Sequence, residues 1–202
     1  MVAGAFTGIR LKSMQRLAVY CGSSMGSDAA FRGAAQAIGE AMAANGIGLV
    51  YGGGKLGLMG VVADAVLGNG GEAYGVIPQA LIDLEVAHQG LTELHVVTTM
   101  HERKAKMTEL ADAFVALPGG IGTYDELFEA WTWNALGYHA KPFALLNVSG
   151  FWDHMIRFLD HATASGFMSP ARRAQLLVAE NIEEAIAKLD AAVGASEKKM
   201  VW

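Results

Sequence analysis

Six short apolar runs alternate with stretches of helical periodicity, and this alternation restricts the chain to few architectures. The runs are Leu17 to Cys21, Gly48 to Tyr51, Ala73 to Ile77, Leu94 to Thr98, Ala113 to Leu117 and Pro142 to Asn147. Asp28 to Ala44, Leu58 to Leu67, His101 to Asp112, Tyr124 to Leu136 and Phe151 to Ala164 repeat apolar residues at helical spacing, and Glu183 to Val193 reads as a last helix. Strands and helices that alternate along most of the chain predict βαβ units, hence an α/β protein with a parallel sheet. Glycine, proline, serine or threonine closely follows each run, at the carboxyl edge where open α/β sheets bind ligands.

The 202 residues suffice for one sizeable core, and 52% of them are hydrophobic, so a single domain is expected over residues 15–196. Residues 1–14 read as an N-terminal extension, broken by Thr7, Gly8, Arg10 and Lys12 and lacking the apolar stretch of a signal peptide, with Met14 as an alternative start. Residues 197–202 read as a tail. No apolar run reaches the roughly 20 residues of a bilayer span. A net charge of −5 gives no pull toward nucleic acid or anionic membrane, whereas the local cluster Arg103, Lys104, Lys106 suits a small anion. Cys21 is the lone cysteine, which excludes an internal disulfide and a thiolate metal cluster and points to a reducing, cytoplasmic compartment. Its place at a strand end makes it a small buried hydrophobe. His154 and His161 share a helix face and are not read as metal ligands.

Three glycine-rich turns and one basic helix start carry the candidate chemistry. Cys21-Gly22-Ser23-Ser24-Met25-Gly26-Ser27 lies between a strand and a helix capped by Ser27 or Asp28, and fits either a phosphate seat or a plain capped turn. Gly52-Gly53-Gly54-Lys55-Leu56-Gly57 contains a literal G-x-G-x-x-G, but it follows the second run and lacks the acidic residue that holds a dinucleotide ribose. A glycine-lined floor for a mononucleotide is the expectation there. Thr99 to Glu102 forms a capping box, which puts Arg103 in the first turns of a helix, where a cation is unfavourable without a ligand or carboxylate partner.

Pro118-Gly119-Gly120-Ile121-Gly122-Thr123-Tyr124-Asp125-Glu126 is the most specific stretch. Its glycines allow close backbone approach to an anion at a helix N-terminus, with a carboxylate beside it. Thr123-x-x-Glu126 also has capping-box spacing, so Glu126 is expected to cap, to act on a ligand, or to do both.

Together with Met100-His101-Glu102-Arg103-Lys104 and Gly52-Gly53-Gly54-x-x-Gly57-Leu58-Met59-Gly60, this turn resembles the LOG family of cytokinin-activating phosphoribohydrolases over roughly Leu17 to Val193. The resemblance implies a Rossmann-like doubly wound fold and a homodimer. It further implies hydrolysis of (N6-modified) adenosine 5′-monophosphates to free base and ribose 5-phosphate, with neither cofactor nor metal. Arg103 and Glu126 match the family's catalytic pair. Substrate contacts are expected from Glu85, Lys104, Thr132, Gly119, Gly120, Ile121, Gly122, Thr123, Tyr124 and Asp125, with Gly22, Ser23, Gly53, Gly54 and Met100 beside them. The family's other label, lysine decarboxylase, fits poorly, because neither Lys55 nor Lys104 has a recognisable pyridoxal-phosphate context. The competing readings are a nucleotide or molybdenum-cofactor carrier of similar fold, and a scaffold whose glycine turns are structural.

Overall fold

The computed structural model describes residues 13–82 and 87–199. β1 (Arg16–Tyr20), β2 (Gly48–Tyr51), β3 (Ala73–Pro78), β4 (Glu93–Val97), β5 (Ala113–Ala116), β6 (Phe143–Leu146) and β7 (Leu176–Ala179) form one sheet in the order β4-β3-β2-β1-β5-β6-β7. Every pairing is parallel. The six apolar runs are the first six strands. β7 adds a seventh that the sequence pattern hides, because four apolar residues between two helices are too short to distinguish from either.

The helices are α1 (Ala29–Ala44), α2 (Gly57–Gly68), α3 (Met100–Leu110), α4 (Ile121–Ala135), α5 (Asp153–Ala164), α6 (Pro170–Arg173) and α7 (Ile182–Lys199). Successive strand residues point to opposite faces, so β1 feeds two cores. Leu17 and Val19 pack with Ile38 and Met42 of α1, Val62 of α2 and Leu189 of α7. Ala18 and Tyr20 pack with Met107 of α3, Leu127 and Trp131 of α4 and Leu159 of α5. Both faces are therefore covered, which is why the strands read as continuous apolar runs rather than alternating ones.

The chain winds outward from β1 to β4, returns to set β5 beside β1, and winds outward again to β7. Asp112 ties the return: its Oδ2 accepts the N–H groups of Gln15 and Arg16, each at 2.8 Å. Where the winding reverses, the connections after β1 and β5 leave in opposite directions and open a crevice at the carboxyl edge.

At the ends, Met14, expected in the extension, is only 4% exposed and belongs to the core. The N–H groups of Ser13 and Met14 donate to Asp190 Oδ1 at 3.1 and 3.0 Å. α7 continues through Lys199, into the stretch read as a tail. Residues 1–12 of the expected extension lie outside the described residues. Among the described residues, no helix is long and apolar enough to cross a membrane.

Candidate active site

The turns after β1 and β5 are joined. Gly22 N–H donates to Pro118 O at 3.1 Å, and Leu58 N–H, at the start of α2, donates to Gly22 O at 3.0 Å. A Cβ on Gly119 would lie 2.1 Å from Thr123 Oγ1 and 2.9 Å from Gly22 N, so that glycine is demanded by packing. Gly120 and Gly122 differ: a Cβ on either would meet no protein atom within 4 Å, and neither has a positive φ. The fold itself does not need glycine there.

α4 begins at Ile121 with Gly120 as N-cap, and Tyr124 N–H donates to Gly120 O at 3.1 Å. The Thr123–Glu126 capping box is therefore not formed. Both residues lie inside the helix, which starts early because Gly120 accepts the extended N-cap conformation directly after the Pro118-Gly119 turn. Gly120 brings no side chain to cap α4, and the first-turn N–H groups of the helix face the turn as a seat for an anion. The other two caps form as expected. Asp28 accepts from Ala30 N–H, and Thr99 Oγ1 accepts from Glu102 N–H while Glu102 Oε2 accepts from Thr99 N–H.

Arg103 is 4% exposed. Its Nε donates to Val76 O at 3.1 Å and its Nη2 to Gly52 O at 3.0 Å. Backbone carbonyls in β3 and just beyond β2 thus compensate a cation at an unfavourable helix end. Of the glycines from Gly52 to Gly60, Gly52 makes room for Arg103, and Gly57 and Gly60 for close backbone approach. A Cβ would lie 2.1 Å from Arg103 Nη2 at Gly52, 2.2 Å from the Ser23 carbonyl carbon at Gly57 and 1.9 Å from Lys55 O at Gly60. Gly53 and Gly54 are buried; His88 N–H donates to Gly53 O and Gly54 bridges Ala87.

The crevice holds a cavity of about 280 Å³ lined by Cys21, Gly22, Ser23, Ser24, Met59, Arg103, Gly120, Ile121, Gly122, Thr123 and Glu126. A hollow of about 190 Å³ adjoins it, sharing Gly22, Ser24 and Gly120 and walled by Gly119, Met25, Phe31, Leu58 and Phe151. The fold thus brings together Arg103, Glu126, Gly22, Ser23, Gly120, Ile121, Gly122 and Thr123, with Gly119 next door. Lys104 is instead bound to Asp125 and Glu129. Tyr124 packs edge-on against Trp152, and Thr132 lies on an exposed groove with Phe128 and Phe167. Met100 stands exposed at the start of α3, with its sulfur 3.9 Å from Arg103 Nη1. Glu85 lies outside the described residues. Cys21, Ser24 and Met59 join the lining without having been singled out as contacts; Cys21 and Ser24 sit in a glycine cluster already suspected of holding phosphate.

Burial, and then the Glu126 carboxylate, push the Cys21 thiol well above its ordinary value, so it stays a neutral wall of the cavity. Burial, followed by Glu126 and Glu129, does the same to the Tyr20 phenol beneath α4. For Lys104, burial favours the neutral amine, but the hydrogen bonds and charges of Glu129 and Asp125 outweigh it and raise its pKa.

A parallel sheet with a crevice at its reversal point, and a helix that starts from a glycine turn beside it, define a Rossmann-like α/β protein. The model of the family described as possible lysine decarboxylase matches residues 59–189. The chain is 45% identical over 195 residues to the cytokinin riboside 5′-monophosphate phosphoribohydrolase LOG of Oryza sativa subsp. japonica, covering 96% of this chain and 81% of that protein. It is 47% identical over 172 residues to the cytokinin riboside 5′-monophosphate phosphoribohydrolase of Rhodococcoides fascians, covering 85% and 87%. The chain belongs to the LOG family. Among solved structures, the Moco carrier protein from Chlamydomonas reinhardtii has a TM-score of 0.67 at 20% identity over 89% of this chain and 98% of that one. The molybdenum cofactor binding protein from Rippkaea orientalis has a TM-score of 0.67 at 19% identity over 88% and 96%. At that identity the likeness is one of fold.

Proposed function

We propose that this protein hydrolyses the N-glycosidic bond of adenosine 5′-monophosphates, including N6-modified ones, releasing the free base and ribose 5-phosphate. The observation that carries the reading is that Arg103 and Glu126 line one cavity whose remaining wall is the open glycine turn and the start of α4. Phosphate would sit against the N–H groups of Gly120, Gly122 and Thr123. Gly122 and Glu126 are four residues apart and share a helix face, so the sugar would lie about one turn, roughly 5.4 Å, further along and before the carboxylate.

In the reaction, the C1′–N9 bond breaks with its electrons passing to the base, and the oxygen of water bonds to C1′. Glu126 stabilises the oxocarbenium character of the sugar and takes a proton from the attacking water; the departing base gains a proton. Arg103 remains charged and acts by position and field, since a guanidinium is a poor proton donor near neutral pH.

The decarboxylase label asks for a lysine whose neutral amine can form a Schiff base. Lys104 is held charged by two carboxylates, the opposite state, and Lys55 is exposed. The carrier reading is weaker, because the carriers share about a fifth of their residues with this chain and the hydrolases nearly half. We further place the reaction in the cytoplasm and the protein in a homodimer, for which Ile121, Leu136, Tyr138, Phe158 and Phe167 offer exposed apolar surface.

The test incubates the protein with AMP and with isopentenyladenosine monophosphate, without added pyridoxal phosphate, and chromatographs for free base. Release from at least one is expected, and Glu126→Gln should lower it by about 100-fold or more while nucleotide binding persists. Failure to release base from both overturns the reading.

A further inference from the structure

We infer that Lys104 is a brace between the two helices that carry Arg103 and Glu126, and that Glu129, a residue outside the cavity, is a positioning residue for the hydrolysis. This inference rests on the reaction proposed above. Lys104 follows Arg103 on α3, and Asp125 precedes Glu126 on α4. The Lys104 Nζ donates to Asp125 Oδ2 at 3.0 Å and to Glu129 Oε2. Each member of the reacting pair is thus adjacent in sequence to a member of the brace.

Burial decides which partner matters more. The Lys104 side chain is 10% exposed and that of Glu129 18%, whereas Asp125 is 54% exposed. Water screens the Asp125 contact, while Lys104 and Glu129 interact at lower effective dielectric and neither can be left alone without a desolvation cost. Glu129 Oε1 is buried with no partner among the described residues, so Lys104 is the described counter-charge of this carboxylate.

Consecutive helical residues point in different directions. Arg103 is turned to the carbonyls of Gly52 and Val76, while Lys104 reaches across to α4. A shift of α3 along α4 would break the lysine contacts and carry the Arg103 backbone with it. Without the lysine, Asp125, Glu126 and Glu129 would be three carboxylates within little more than one turn of helix, an arrangement that repels at i,i+3 and i,i+4 spacing. The brace therefore fixes the span between the reacting groups and offsets the charge that crowds one of them.

The test is a double-mutant cycle on Lys104→Met and Glu129→Met, with the charge-swapped pair K104E/E129K, read as kcat and KM for AMP and as the thermal midpoint. Each single change should lower kcat by about tenfold or more, as small misplacements of reacting groups do, with KM within about twofold. The swapped pair should recover much of the loss, and the midpoint shifts of the singles should not add. If the methionine variants do not fold, Glu129→Gln, which keeps an acceptor but no charge, should still show a kcat loss of a few fold without a KM change.

A raised KM with unchanged kcat in Lys104→Met would make the lysine a substrate ligand and overturn the brace; so would an unaltered kcat in the Glu129 variants. Wild-type protein releasing no base would overturn the proposed reaction and not the brace. In that case strictly additive midpoint shifts overturn the brace and coupled shifts support it.

Discussion

Gly52 and Arg103 occupy space so closely that a methyl group on the glycine would sit 2.1 Å from the guanidinium Nη2. The absence of a side chain at Gly52 is thus a condition for the position of a buried cation in the site. Gly52→Ala should expel the guanidinium from its carbonyl cradle while leaving the sheet intact, at a cost of about 1–3 kcal/mol for overpacking. Base release from AMP should fall at least tenfold, with unchanged far-UV circular dichroism and a lowered melting temperature. Wild-type turnover in this variant would show that Arg103 can act from elsewhere.

The glycines of the Pro118 turn should divide into two kinds. Gly119→Ala forces a Cβ onto Thr123 Oγ1 and should lower the melting temperature by several degrees. Gly122→Ala meets no protein atom and replaces glycine within a helix, so stability should rise by about 0.5–1 kcal/mol while the KM for AMP increases. Melting curves and KM values of the two proteins check this, and equal stability losses would refute the division.

Arg103→Lys keeps the charge and loses the fork that reaches Val76 O and Gly52 O together. Turnover should fall by about 100-fold with the fold preserved, measured as base release by purified variant and wild type.

Stability should respond to His139 in acid. Burial, and then the nearby Lys141 ammonium, hold its imidazole down at about 4, against an ordinary value near 6.5. Between those values the unfolded chain takes up the proton before the folded one does. The stability is therefore complete above about pH 6.5 and drains away as pH falls toward 4. The melting temperature of wild type should decline more steeply across that window than that of His139→Asn, whose carbonyl oxygen can replace Nδ1 as acceptor of the Lys141 N–H. Parallel curves would refute the assignment.

Much of this site can be read in the sequence, because its local parts have local causes. Ala113 to Leu117 is apolar because β5 is covered on both faces, and Thr99 and Glu102 form a box because three residues span a helical turn. The same box rule misplaces the start of α4: Thr123 and Glu126 have the spacing, but Gly120 can take the N-cap conformation earlier, and spacing alone does not reveal which residue adopts it. The role of Gly52 stays hidden for another reason. Its partner lies 51 positions away in Arg103, and no periodicity links them. Lys104 likewise finds Glu129 at a separation of 25, through the packing of two helices on the sheet. Chemistry that depends on one turn is legible, and chemistry that depends on which elements become neighbours is not.

The seat of β5 beside β1 also sets when the site can come into being. Arg16 and Asp112 are 96 positions apart, yet their contact marks where the returning chain slots against the first strand. Closing so long a loop is slow compared with forming helices, and a nascent chain holding only β1 to β4 lacks the far wall of the crevice. During synthesis, nucleotide affinity should emerge abruptly once the chain has passed Glu126. A ligand of this kind can reward the completed sheet but cannot guide its early assembly.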